Sequence, residues 1–248
     1  GDWSSDVCSS DLVDESFAPL RDDKVVARRG NIGPAVDVAE TTKVVEFNDI
    51  PALESALASV DVACVLAEPV MTNIGIVHPD AGYHDALREI TRRTGTLLII
   101  DETHTICTGE GGYTRAYGLQ PDMLTIGKPI AGGIPAAVYG FTEEVAARIL
   151  ASTSVEDSDT GGIGGTLAGN ALSLAAMRAT LEHVLTQAAY DVTIPLAQRF
   201  TAGVQEVIDE KGLPWHVAQL GCRAEYWFCP QPPRNGAEAA AAIDGDLD

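Results

Sequence analysis

Four short runs of this chain are dominated by apolar residues without alternation, and they limit the fold more than any single residue does. They fall at 62–67, 97–100, 123–126 and 136–141. A strand with one wet face alternates polar and apolar side chains, whereas a strand apolar throughout is covered on both faces. Helical segments lie between the runs. In 80–94, Tyr83, Leu87 and Ile90 recur at helical spacing, and Gly95 follows as a stop. Residues 51–60 predict a helix capped by Asn48-Asp49, with Pro51 suited to its first turn. Residues 142–150 predict another, capped by Thr142. Strands interleaved with helices predict an α/β fold: a mostly parallel central sheet with helices on both faces. One more short strand is expected at 43–47.

Downstream, the pattern predicts long helices at 170–185 and 192–211, then strands at 215–220 and 224–229. These are expected to begin a smaller α+β domain at 189–248, after a large domain at 13–188. Residues 1–12 carry Ser-Ser-Asp twice and read as a non-native leader. The stretch 236–248 is alanine-rich and acidic, and is expected to offer no closing element. The chain is therefore expected to be a fragment at both ends. It has no internal repeats.

The composition is that of a globular protein, 46% apolar and 21% charged. The net charge of −20 disfavours polyanion partners, because neutralising phosphates needs clustered cations. No apolar stretch approaches the length of a membrane span. The five cysteines form no CxxC pair and no zinc spacing, and their odd number fits a reducing cytoplasm. Cys64, inside an apolar run, is expected to be a small core residue.

In a parallel sheet the chemistry gathers at the carboxyl ends of the strands. Glu68, Asp101 and Lys128 all stand just past strand ends. Lys128 is one of only four lysines and lies in an apolar, glycine-rich run. Desolvation there is expected to lower its pKa, and a neutral amine attacks carbonyls to form a Schiff base. Glu68, before a proline, is expected to be structural, bonded to backbone or an arginine. Tyr113 and Arg115 are expected at the mouth of the site or on a surface loop. The glycine-rich turn at 161–170, opening a helix, is a weak candidate for contacting phosphate. A metal hydrolase built on His78, His84, Asp101 and His104 is the rival reading. His78 and His84 lack the i, i+4 spacing that puts two imidazoles on one helical face, and there is no Gly-x-Ser-x-Gly elbow.

Several of these stretches, in order and spacing, resemble the class III (omega-type) aminotransferases, which are fold type I pyridoxal-phosphate enzymes. They are closest to glutamate-1-semialdehyde aminomutase and its relatives. The matching pieces are Ala67-Glu68-Pro69-Val70 with Asn73-Ile74-Gly75, Leu98-Ile99-Ile100-Asp101-Glu102-Thr103-His104-Thr105, Leu124-Thr125-Ile126-Gly127-Lys128, and Gly165-Thr166-Leu167-Ala168-Gly169-Asn170. The resemblance implies pyridoxal 5'-phosphate held by Lys128 as an internal aldimine, with Lys128 then moving the substrate proton. It implies that Asp101 pairs with the pyridinium nitrogen and keeps the ring an electron sink. Thr103 stands where the family has valine on the ring face, and His104 where relatives carry glutamine near the phenolic oxygen. Thr166 is expected on the phosphate of a neighbouring subunit's cofactor, which implies a homodimer acting on a small amino donor and acceptor. The family's own phosphate turn and ring-stacking aromatic lie upstream of where this chain resumes. Asn73 replaces a glutamate of several relatives, which argues against an ornithine- or aminobutyrate-type substrate. The residues leave transamination and 1,2-migration of the amino group both open. A scaffold that only dimerises is the non-catalytic alternative; a visible absorption band lost in Lys128→Ala separates it from an enzyme.

Overall fold

The computed structural model describes residues 41–152 and 167–243. Its centre is a four-stranded sheet in sequence order: β1 (Cys64–Ala67), β2 (Leu97–Asp101), β3 (Met123–Ile126) and β4 (Val138–Phe141). The first three strands are parallel and β4 is antiparallel to β3. The register sets Ala67 against Ile100 and Asp101 against Thr125, so the three parallel strands end along one edge.

Helices α1 (Ile50–Leu57) and α2 (Tyr83–Thr94) cover one face. Asp49 caps α1 through its side chain, which accepts from Ala52 N at 2.9 Å. Asn48 is not part of that cap. It adopts φ 68° and binds His78 O, Arg234 O and Asp80 N. Glycines in the left-handed region flank α2, at Gly82 and Gly95. Its apolar stripe, Tyr83, Leu87 and Ile90, packs with Phe47, Leu53, Leu57, Leu98 and Ile100 in the main core. Full burial of each such side chain contributes about 1.5–3 kcal/mol. Arg88 of α2 grips Asp122 with two bonds of 2.6 and 2.8 Å, and Asp122 also accepts Leu98 N at 2.8 Å. One half-buried pair thus ties helix, β2 and β3 together.

Two sequence expectations fail here. Residues 43–47 form no strand; Phe47 turns into the core while Lys43 binds Ala56 O at the end of α1. Cys64 is exposed, because β1 is an edge strand whose outward side chains nothing described covers.

The short helix α3 (Gly112–Tyr117) precedes β3, and α4 (Glu143–Ser152) follows β4 with Thr142 at its start. Asn170 caps α5 (Ala171–His183) by accepting Ser173 N at 2.9 Å. Helix α6 (Gln187–Lys211) begins earlier than its sequence predicts, capped by Thr186, and runs through Pro195. A hairpin follows, β5 (His216–Leu220) with β6 (Arg223–Trp227), and then α7 (Gly236–Ile243), a helix where none was expected. A second core cluster of Val70, Ile76, Tyr113, Ala218 and Leu220 seats the hairpin against the segment after β1. Among the described residues no helix is long and apolar enough to cross a membrane.

Candidate functional site

The site is built where β1, β2 and β3 end. At the exit of β2 two adjacent carboxylates diverge. Glu102 points inward and is fully covered. It accepts Thr105 Oγ1 at 2.5 Å, Tyr113 N at 3.0 Å, and Thr114 N. Gly112, at φ 68°, makes this possible: a Cβ there would lie 2.5 Å from Glu102 Oε2. Glu102 is therefore a strut. It holds the loop that carries the neighbouring residues, and it accounts for the burial of Tyr113 while Arg115 stays exposed. Asp101 stays at the strand edge, partly buried, and accepts Thr103 N at 2.8 Å, a local turn typical of aspartate.

The exit of β3 is fastened to that of β2. Gly127 N donates to Thr103 Oγ1 at 3.1 Å, which engages the Thr103 hydroxyl with backbone. Lys128 follows, opening a 3-10 turn, Lys128–Ala131. Ile130 and Ala131 turn inward against Met177 of α5, and Lys128 is left facing out. Its backbone sits at φ 51°, a left-handed conformation that costs a non-glycine residue about 1–3 kcal/mol. The expected desolvation of Lys128 is not found: the residue is exposed, because it stands beyond the strand end rather than within the sheet.

The Lys128 amine nevertheless has a specific neighbour. Its Nζ lies 2.6 Å from His104 Nε2. On the other side of the ring, Nδ1 lies 2.5 Å from Thr72 Oγ1 and 3.1 Å from Arg223 Nη1. A guanidinium and an ammonium can only donate, so Nδ1 accepts from Arg223, and Nε2 donates to Lys128 only where that amine is neutral. Arg223 is itself fixed by Thr72 O at 2.8 Å and by Glu225. Thr72 Oγ1 also meets Glu68. Burial raises the Glu68 pKa and the nearby Asp101 charge adds to it, against the Thr72 bond and the Arg223 charge. Glu68 thus does bond locally and feel an arginine, as its sequence position suggested, but its partner is a hydroxyl that also touches His104.

Asp101, Thr103, His104 and Lys128 are therefore brought to one edge. Thr166 and the glycine-rich turn before 167 lie outside the described residues. His84, of the rival metal set, binds Pro69 O at 2.8 Å and packs against Tyr83 and Tyr113. Sequence reasoning did not find Thr72 or Arg223. Neither belongs to a motif, and they meet across 151 positions. The one available signal for Thr72 was its place four residues past Glu68.

A mostly parallel α/β sheet with a carboxylate and an amine on neighbouring strand exits defines a fold type I transferase. The chain belongs to the class-III aminotransferases, whose family model matches residues 17–222. Glutamate-1-semialdehyde 2,1-aminomutase of Thermomicrobium roseum is 38% identical over 213 residues, covering 85% of this chain and 48% of that protein. A solved glutamate-1-semialdehyde-aminomutase from Pseudomonas aeruginosa PAO1 superimposes with a TM-score of 0.86 at 48% identity, covering 97% of this chain and 53% of that one. A lysine-to-alanine variant from the same source, in complex with PMP, gives 0.82 at 51% identity over 88% and 49% of the two chains. An omega-transaminase from Sphaerobacter thermophilus gives 0.73 at 30% identity, over 92% and 53%. The chain spans about half the length of the curated relatives it matches.

Proposed function

We propose that this protein is a pyridoxal-phosphate-dependent aminotransferase, moving an amino group between an amino acid or amine and a keto acid or aldehyde. The observation that carries the proposal is the Lys128 amine, 2.6 Å from His104 Nε2 on the strand edge that also holds Asp101. A glutamate-1-semialdehyde-type aminomutase is the second reading, favoured by the 38% identical relative and the 48% identical structure.

The residues present fit the cofactor on chemical grounds. Asp101 offers a carboxylate to a ring N–H, and Lys128 offers an amine to an aldehyde. When bound, pyridoxal phosphate supplies an electron sink for charge developed at the substrate's α carbon. Lys128 would hold the cofactor covalently, and its amine would take and return the proton at that carbon. His104 orients the amine, because Arg223 and Thr72 hold its ring in place. Thr103 pins the two strand exits and would lie against the ring of the bound cofactor. Thr166 is proposed to contact phosphate from a second copy of the chain. That places a homodimer within this reading, and the exposed apolar stripe of α6 at Val192, Leu196, Phe200 and Val207 supports one. The separate β5–β6 sheet supports a division near residue 188 into a cofactor-binding part and a smaller part. A cytoplasmic enzyme with small-molecule substrates completes the proposal.

The test is addition of pyridoxal phosphate to the chain. A visible absorption band should form, and borohydride should fix the cofactor on Lys128. Lys128→Ala should lose both. A band of equal strength in Lys128→Ala, with no labelled residue, refutes the reading. With glutamate-1-semialdehyde as probe, migration of the amino group without consumption of a separate acceptor selects the aminomutase.

A further inference from the structure

Three residues past His104, and one before Arg223, stand two cysteines that the chemistry above does not use. Cys107 lies in the 3-10 turn Thr105–Thr108, and Cys222 in the turn between β5 and β6. They are 115 positions apart in the chain and side by side in space. Cys222 N donates to Cys107 O at 3.0 Å. Gly221, at φ 55°, presses on the same carbonyl so closely that no Cβ fits between them. Cys107 Sγ donates to Leu220 O at 3.1 Å, and the two thiols stand close enough to shift each other's pKa. Cys222 is exposed and Cys107 half-buried.

We infer that Cys107 and Cys222 form a reversible disulfide, a hydroperoxide-responsive modification site that fastens the β5–β6 hairpin to the His104 loop. The 3.0 Å backbone contact holds the two residues side by side, the placement from which a disulfide closes. Exposure divides the roles: Cys222 is open to a peroxide in solution and Cys107 is half-buried behind it. Contact between the two thiols lowers the Cys222 pKa, with help from Thr193, and with burial raises that of Cys107 against the Arg223 charge. Tyr190, whose hydroxyl donates to Ile106 O at 2.8 Å, closes the remaining side and keeps its own proton. An exposed thiolate beside a thiol is the arrangement in which oxidation ends in a disulfide.

The balance is simple. The Cys222 thiolate attacks a peroxide oxygen; an S–O bond forms, the O–O bond breaks and hydroxide leaves. Sulfur is oxidised to sulfenic acid and the peroxide is reduced. Cys107 gives its proton to that hydroxide and attacks the Cys222 sulfur. The S–S bond forms, the S–O bond breaks, and the second oxygen leaves as water once protonated. With hydrogen peroxide, two thiols and one peroxide give one disulfide and two waters. Because Arg223 follows Cys222 directly, the bond also locks the donor that faces His104 Nδ1. The inference does not depend on the cofactor reading.

The reduced chain is treated with hydrogen peroxide, quenched with iodoacetamide, digested and weighed. One linked peptide pair joining Cys107 to Cys222 is expected, two hydrogens lighter than its parts and lost on treatment with dithiothreitol. Cys64 and Cys229 should remain alkylated. In Cys107→Ser, Cys222 should stop at a sulfenic acid that dimedone traps. Free Cys107 and Cys222 after peroxide treatment, or links from either to Cys64, Cys229 or another chain in place of this pair, overturn the inference.

Discussion

A carboxyl group that is 9% exposed, with a second carboxylate beside it, releases its proton late. For Glu68 the folded-state pKa lies above the ordinary 4.5. The folded state therefore binds the proton more tightly than the unfolded one. Glu68 adds stability below its ordinary pKa, and that contribution is lost as pH rises through the raised value. Thermal melts of the wild type and Glu68→Gln should converge in acid and separate above pH 4.5, with the variant relatively more stable as pH rises. A pH-independent difference would remove the buried-proton account. A second prediction concerns His104. Nitrogen-15 shifts should show Nδ1 as the unprotonated nitrogen facing Arg223, and Arg223→Ala should weaken that preference. Asp101 and Lys128 were legible in the sequence because each ends an apolar run. Thr72 and Arg223 were not, because what selects them is a third residue, His104, that touches both only after folding.

Between elements, the half-buried Arg88–Asp122 pair is the clamp to test. Charge-assisted hydrogen bonds contribute about 1.5–3 kcal/mol, so Asp122→Ala should lower unfolding free energy by at least that range in a urea titration. Asp49→Ala, removing the cap of α1, should cost about 0.5–2 kcal/mol. The Tyr83–Thr94 helix was legible because its period and its Gly95 stop agree. The expected strand at 43–47 had the right residues but, among the described residues, no neighbouring strand to bond, and a strand exists only as part of a sheet. The start of α6 was hidden by Pro195, which argues against helix locally and is outweighed by a cap at Thr186 and by packing.

At the scale of the whole molecule, a net charge of −20 repels itself. The Debye length falls from about 30 Å at 0.01 M salt to about 10 Å at 0.1 M. The melting temperature should therefore rise across that interval, and a fall would show that specific ion pairs outweigh self-repulsion.

In the proposed function it is the work of the amine that keeps a lysine in the left-handed backbone at position 128. Ala there removes the amine and leaves the contorted chain; glycine removes both. Lys128→Gly should melt higher than Lys128→Ala, and in a lineage released from selection for catalysis drift at this codon should run toward glycine.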